Sequence, residues 1–169
     1  DLIQSFKRVA VDQSSEERRR FKVRQYVEDV LLSLEPKVKR SKARVQLTCD
    51  EALEADSYPG AFAQIITNLL VNALVHGFGN DREGLVCIAI DSVGSDLAIE
   101  FSDNGAGIPA AVIGKIFDPF FTTKRGHGGS GLGLHLVFNL VTQTLRGTIQ
   151  CESREGHGAT FRVTIPRCP

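Results

Sequence analysis

The sequence contains no methionine and no tryptophan, and only 2 tyrosines among its 169 residues. It carries no surplus of either charge, with Lys+Arg and Asp+Glu at 20 each. A chain without a net field has nothing to draw it to nucleic acid or to an anionic lipid surface, and neither is expected as a partner. The one local basic cluster, Arg18-Arg19-Arg20, reads as a solvated face. No apolar run reaches the ~18 residues of a membrane span, and no signal-peptide pattern is visible. Four cysteines are present, Cys49, Cys87, Cys151 and Cys168. None forms a C-x-x-C pair, and no Cys/His spacing suits zinc, so they read as buried or incidental thiols in a reducing compartment.

What is present is the balance of an ordinary soluble domain, 42% hydrophobic and 24% charged, in a chain long enough to bury a real core. It opens in mid-pattern with Asp1-Leu2-Ile3 and therefore reads as a piece cut from a longer protein. Residues 1–12 place Leu2, Phe6 and Val9 at helical spacing with too little apolar surface to stand alone. Gln13–Arg20 is polar and reads as a linker. Val27, Val30, Leu31, Leu34 and Val38 mark an amphipathic helix over about 23–42, with a kink or break expected at Pro36. Arg44–Cys49 alternates as a strand. Pro59 opens a helix to about Phe78, stopped by Gly77 and Gly79. Strands are expected at Leu85–Asp91, Leu97–Ser102, Gly147–Ser153 and Ala159–Ile165, with a helix from Gly131 to about Leu145. Helices interleaved with hairpins argue for a two-layer α/β sandwich rather than a doubly wound parallel sheet.

Five segments carry the chemistry. On the helix from Pro59, the residues Asn68, Asn72 and His76 follow at i, i+4 steps and share a face. An amide oxygen on a rigid helix suits Mg²⁺, which takes oxygen ligands and shares substrate phosphates; a solvated polar face is the plainer alternative. Asp103-Asn104-Gly105-Ala106-Gly107 follows a strand, where a carboxylate can accept from an exocyclic amine such as that of adenine. Its glycines let the backbone pass close to a flat ring, although Asp, Asn and Gly are also ordinary turn residues. Gly129-Ser130-Gly131-Leu132-Gly133 opens a helix, an arrangement that exposes N–H groups to phosphate. Between these lies Phe117-Asp118-Pro119-Phe120-Phe121, then Lys124, a pattern fitting an aromatic anchor with a lysine in reach of phosphate. Last, Gly156-His157-Gly158-Ala159-Thr160 turns into the final strand, with Thr160 a candidate support for Asp103 at the base.

In this order the segments resemble the ATPase superfamily that unites histidine kinases, certain chaperones, type II topoisomerases and mismatch-repair ATPases. Asn68-x-x-x-Asn72-Ala73 is similar to its N box, and Asp103-x-Gly105-x-Gly107 to its first glycine box. Gly129-x-Gly131-Leu132-Gly133-Leu134 is similar to the second, and Gly156-x-Gly158-x-Thr160-x-x-Val163 to the closing element. Phe117–Phe121 resembles the phenylalanine box and points to sensor histidine kinases.

The resemblance implies a Bergerat-type ATP-binding fold: an α/β (α+β) two-layer sandwich, its mixed, mostly antiparallel sheet covered by helices on one face. It implies ATP and Mg²⁺ as ligands, with Asn72 the metal ligand and Asn68 near the phosphates. Asp103 would take the adenine amine, Gly105 and Gly107 the ring edge, and Thr160 the supporting contact. Gly129, Gly131, Leu132 and Gly133 would meet phosphates through backbone N–H groups. Val75 and His76 stand where many relatives carry a basic residue and an aromatic, so His76 is either a donor to phosphate or a partly buried helix residue.

None of His76, His127, His135 and His157 has the acidic helical neighbour of a phosphoacceptor. Residues 1–20 are therefore expected to be the tail of a dimerisation and phosphoacceptor helix with its linker, and 21–169 the ATP-binding catalytic domain. The expected partners are that hairpin and a response regulator, in a full-length homodimer whose isolated fragment is monomeric, in the cytoplasmic portion of a sensor. An anti-sigma-factor-like Ser/Thr kinase and a degenerate nucleotide-binding module are the alternatives.

Overall fold

The computed structural model describes residue 9 and residues 17–78, 83–123 and 130–168. The chain runs β1 (Arg19–Lys22), α1 (Val23–Arg40), β2 (Ala43–Cys49), β3 (Glu54–Ser57) and α2 (Pro59–Asn72), the last prolonged by a π turn over Ala73–Phe78. There follow β4 (Gly84–Val93), β5 (Asp96–Asp103), a 3₁₀ turn at Ile113–Lys115, and α3 (Gly133–Asn139) with its own π turn, Leu140–Thr144. The strands β6 (Thr148–Ser153) and β7 (Ala159–Pro166) close the chain.

Five strands form one sheet in the order β2-β4-β5-β7-β6. Only β2 and β4 run parallel; the other three pairings are antiparallel. Strand alternation decides which face is covered. Val86, Ile88 and Ile90 of β4, Leu97, Ile99 and Phe101 of β5, and Phe161, Val163 and Ile165 of β7 are buried. Each such side chain contributes roughly 1.5–3 kcal/mol of burial. The residues between them face solvent, where Arg162 pairs with Glu100 at 2.9 Å and Glu152 at 2.7 Å. The helices thus cover one face, as expected from the sequence.

Against that face lies α2, with Phe62, Ile65, Ile66, Leu69 and Leu70 buried. By length and composition alone Pro59–Phe78 would suit a membrane span. Its apolar side is packed into the protein interior, which makes it the core helix.

Three features differ from the sequence expectation. The helix from Val23 runs through Pro36 without a break, because the proline lies on its exposed side and the buried stripe of Val23, Tyr26, Val27, Val30 and Leu34 holds the helix to the core. Arg19 and Arg20, expected in a linker, form half of β1. That strand pairs antiparallel with β3, Arg19 opposite Ser57 and Arg20 opposite Asp56. Both strands are only 4 residues long, too short to announce themselves by alternation. The helices expected to reach Phe78 and Leu145 both end in π turns. The leading helix expected over residues 1–12 lies outside the described residues apart from Val9, which is buried.

Candidate functional site: a nucleotide pocket between α2, α3 and the end of β5

A pocket of about 450 Å³ opens between α2, α3 and the segment after β5. Asn68, Asn72, His76, Asp103, Gly107, Gly131 and Gly133 all line it, so residues scattered over half the sequence converge. The topology explains the convergence. Asp103 is the last residue of the central strand β5 and pairs with Val86 on one side and Ala159 on the other. α2 packs across the sheet, and α3 packs beside α2.

One end of the pocket is built from amides and a helix start. Asn68 Nδ2 donates to the Gln64 carbonyl at 2.8 Å, which leaves its Oδ1 turned toward α3. The point where a β-carbon would stand on Gly133 is 3.0 Å from Asn68 Oδ1 and 3.8 Å from Asn72 Oδ1. Asn72 Nδ2 is buried with no hydrogen-bond partner among the described residues. Such an orphaned donor costs ~1–3 kcal/mol unless a ligand or water takes it. Immediately after Asn72 the helix widens into its π turn, a local irregularity found preferentially at functional sites. His76 stands in that turn, its Nδ1 3.4 Å from Thr123 Oγ1 across the pocket.

At the other end, Asp103 Oδ1 accepts the Gly105 N–H at 2.8 Å. Gly105 itself packs on Gly77 rather than lining the cavity: a β-carbon there would stand 2.6 Å from the Gly77 Cα. The Gly77 carbonyl accepts the Ala106 N–H at 2.8 Å, and the Ala106 carbonyl accepts the Gly156 N–H at 2.6 Å. Ser153 Oγ takes the Ile108 N–H at 2.8 Å and donates to the Gly158 carbonyl at 2.6 Å. The segment 103–108 is therefore pinned by the π turn of α2 on one side and the β6–β7 turn on the other. Ile108, Val112, Ile116, Phe121, Leu134 and Phe161 add apolar wall. A flat apolar ring with one polar edge fits such an enclosure.

The phenylalanine segment divides its labour. Phe117 packs against Phe138 and Phe161, with ring centroids 5.5 and 6.4 Å away. Phe121 lines the pocket. Phe120 is 63% exposed and sits at φ 64°, and its backbone occupies the space a β-carbon on Gly131 would need.

Two expected contacts differ. Thr160 does not line the pocket; Ala159 and Phe161 on either side of it do. Strand alternation turns Thr160 to the opposite face of β7, so its hydroxyl does not support Asp103 from within the cavity. The Leu132 side chain is also directed outward, 41% exposed, and its N–H is turned to Ser130 Oγ at 3.3 Å. Lys124, His127 and Gly129 lie outside the described residues.

Gly77, Ile108, Val112, Ile116, Thr122, Thr123 and Glu155 also line the pocket without having been singled out in the sequence. Gly77 reads there only as a helix stop, and the apolar positions 108–116 show no periodicity to mark them. None of the four cysteines lines it. Burial pushes the Cys151 thiol up to about 12 and the Cys49 thiol up to about 11.

The family model described as the histidine kinase-, DNA gyrase B- and HSP90-like ATPases matches residues 58–169, which span every wall of this pocket. The chain belongs to that ATPase family. Its ATP-binding fold is that of histidine kinase catalytic domains. The nucleotide-free catalytic domain of the histidine kinase ThkA superimposes with a TM-score of 0.78 at 28% identity, covering 90% of this chain and 97% of that one. The sensor histidine kinase ZraS of Escherichia coli strain K12 is 36% identical over 124 residues. That match covers 73% of this chain and 25% of ZraS, so the chain spans about a quarter of that relative's length. In a longer ThkA structure, 24% identical with a TM-score of 0.73, that kinase is in complex with the response regulator TrrA; the match covers 98% of this chain and 47% of that one. Membership in this ATPase family implies ATP binding.

Proposed function

We propose that this chain is the unit of a sensor histidine kinase that holds ATP with Mg²⁺ and presents the γ-phosphate to a histidine elsewhere in a longer protein. The observation that carries the reading is Asn72, whose amide Nδ2 is buried with no hydrogen-bond partner among the described residues, beside the start of α3 in the cavity that Asp103 closes at its other end.

In this reading Asp103 accepts from the adenine amine through the carboxylate oxygen not engaged by Gly105. Gly107 and Ile108 lie along the ring. The β- and γ-phosphates meet the N–H groups of Gly131–Gly133, where the α3 dipole favours negative charge. Lys124 and Gly129 are proposed as further phosphate contacts, and His76 as a further donor. Leu132 contributes only its backbone N–H, which phosphate would take over from Ser130 Oγ, and Gly105 supports the floor without touching the base.

Asn72 and Asn68 turn neutral oxygens toward Gly133, and among the described residues no three His, Cys, Asp or Glu side chains cluster as a metal site. That donor set fits Mg²⁺, which binds through few protein oxygens and completes its shell with water and phosphate. Bound there, the ion would neutralise charge between phosphates. The protein supplies position, exclusion of water and aimed donors, which is most of what phosphoryl transfer requires. The acceptor is proposed to be a histidine nitrogen on a dimerisation hairpin to which residues 1–20 lead, in a homodimer. A response-regulator aspartate receives the group from it. A cytoplasmic location accords with both the substrate and the partner.

A thermal-unfolding scan with ATP or ADP, with and without Mg²⁺, tests the site. A ligand specific for the native state adds about 2.7 kcal/mol at a hundred times its dissociation constant. A Mg²⁺-sensitive rise in Tm is expected; no shift at millimolar nucleotide would sink the proposal.

A further inference from the structure

One residue beyond Leu134 of the pocket lining, a histidine links two segments that the proposed phosphate contacts depend on. His135 Nδ1 lies 3.0 Å from the Phe117 carbonyl, and its Nε2 lies 3.1 Å from Asn139 Nδ2. The first partner fixes the chemistry. A backbone carbonyl can only accept, so Nδ1 carries the proton and donates. Nε2 is then an acceptor, which suits the amide N–H that Asn139 turns toward it from the next helical turn. Each ring nitrogen of the neutral imidazole has a partner of the complementary kind.

We infer that His135 is a positioning residue, which sets the phosphate-facing start of α3 against the phenylalanine segment by bonding to the Phe117 carbonyl. Gly131, Gly133 and Leu134 line the pocket from one side, and Ile116, Phe121, Thr122 and Thr123 line it from the other. His135 immediately follows Leu134, and Phe117 immediately follows Ile116. Their bond therefore ties the two walls one residue behind the cavity. The Phe117 ring is already held by Phe138 and Phe161, and the peptide that carries its carbonyl is held within its own segment by the Asp118 N–H, which donates to the Lys115 carbonyl at 3.0 Å. What the histidine adds is the bond from this turn to α3, three residues before Phe120, whose backbone abuts Gly131. The base end, pinned by Gly77 and the β6–β7 turn, shares none of these bonds.

The inference rests on the phosphate site proposed above, and its consequence is a selective one. His135→Ala should weaken ATP and ADP binding by about three- to tenfold, the worth of one net hydrogen bond. AMP, which is held mainly through its base, should change by less than about twofold. His135→Asn, whose amide N–H stands near the place of Nδ1–H, should restore the affinity for ATP. Parallel weakening of all three nucleotides, or no change in any, would overturn the inference. A second measurement needs no substitution and no ligand: long-range ¹H–¹⁵N spectra of the unmodified chain should show His135 protonated at Nδ1 alone. Protonation at Nε2 alone would overturn the inference even if nucleotide binding were absent. An unmodified chain that binds ATP while the alanine variant is unaffected would refute the positioning role and leave the proposed function standing.

Discussion

Gly105 and Gly77 pack so closely that a β-carbon on Gly105 would stand 2.6 Å from the Gly77 Cα and 2.7 Å from Asp103 Oδ1. This approach sets the Asp103 carboxylate against the π turn of α2. Gly105→Ala has to push one of these backbones aside, and overpacking of this kind costs roughly 1–3 kcal/mol. Its Tm should fall and nucleotide binding should be lost with it. Gly77→Ala is milder, because its β-carbon would come no closer than 3.3 Å to Asp103 Oδ1 and 3.6 Å to the Gly105 Cα. If urea titration shows Gly77→Ala to be the more damaging of the two, the packing account is wrong.

Asp103→Asn separates fold from ligand. An asparagine keeps an oxygen for the Gly105 N–H, now received by Asp103 Oδ1 at 2.8 Å, so the fold should be retained. What it loses is the second acceptor proposed to meet the adenine amine. Affinity for ATP measured by calorimetry should drop at least tenfold, about 1.4 kcal/mol; retained affinity would remove Asp103 from the base site.

Asn72→Ala is expected to act on the metal rather than on the base. Removing the amide also removes the buried orphan Nδ2, so the free variant should be no less stable than loss of side-chain packing alone requires. Its ATP affinity should cease to respond to Mg²⁺. A Mg²⁺ titration superimposable on that of the unsubstituted protein would argue against Asn72 as the ligand.

Phe120 holds a left-handed conformation, φ 64°, with its ring 63% exposed. That conformation costs about 1 kcal/mol or more in a residue with a β-carbon and little in glycine. Phe120→Gly should therefore match or exceed the original stability. Phe161→Ala, by contrast, should lose about 3 kcal/mol or more from the core. Paired thermal denaturation distinguishes the two, and a large loss from Phe120→Gly would show that the ring packs in a way its exposure conceals.

The cysteines and one ion pair give the pH-dependent tests. With thiols raised to about 12 and about 11 by burial, Cys151 and Cys49 should resist alkylation at pH 8, whereas the exposed Cys168 should react first; mass spectrometry of partial digests reads the order. Asp56 is held below the usual carboxylate range by its hydrogen bond to Arg18. A depressed carboxylate stabilises the fold above its unfolded pKa of ~3.9 and ceases to do so as pH falls through the folded value. Asp56→Asn should thus be less stable than the original at pH 7, with the difference closing below about pH 4. A difference independent of pH would mean the pair contributes nothing through charge.

The sequence by itself determined the layer architecture and the positions Asn68, Asn72, His76, Asp103, Gly107, Gly131 and Gly133 of the pocket. Alternation in β4, β5 and β7 and the apolar stripe of α2 are local patterns with fixed periods, and they survive unchanged in the fold. Asp103, Gly107, Gly131 and Gly133 were legible through the order of the five segments, since each segment alone would pass for an ordinary turn. Four-residue strands and π turns leave no periodic trace, so β1, β3 and the widening after Asn72 were not legible. Only the tertiary structure decided that Thr160 faces away while Ala159 lines the cavity, since a one-residue phase of a strand is set by its neighbours. Only it decided that Gly77 lines the pocket rather than merely stopping a helix, and that His135 bonds Phe117. Those are contacts between segments 18 and more residues apart, and the packing of α3 and the sheet end, not the local sequence, brings them together.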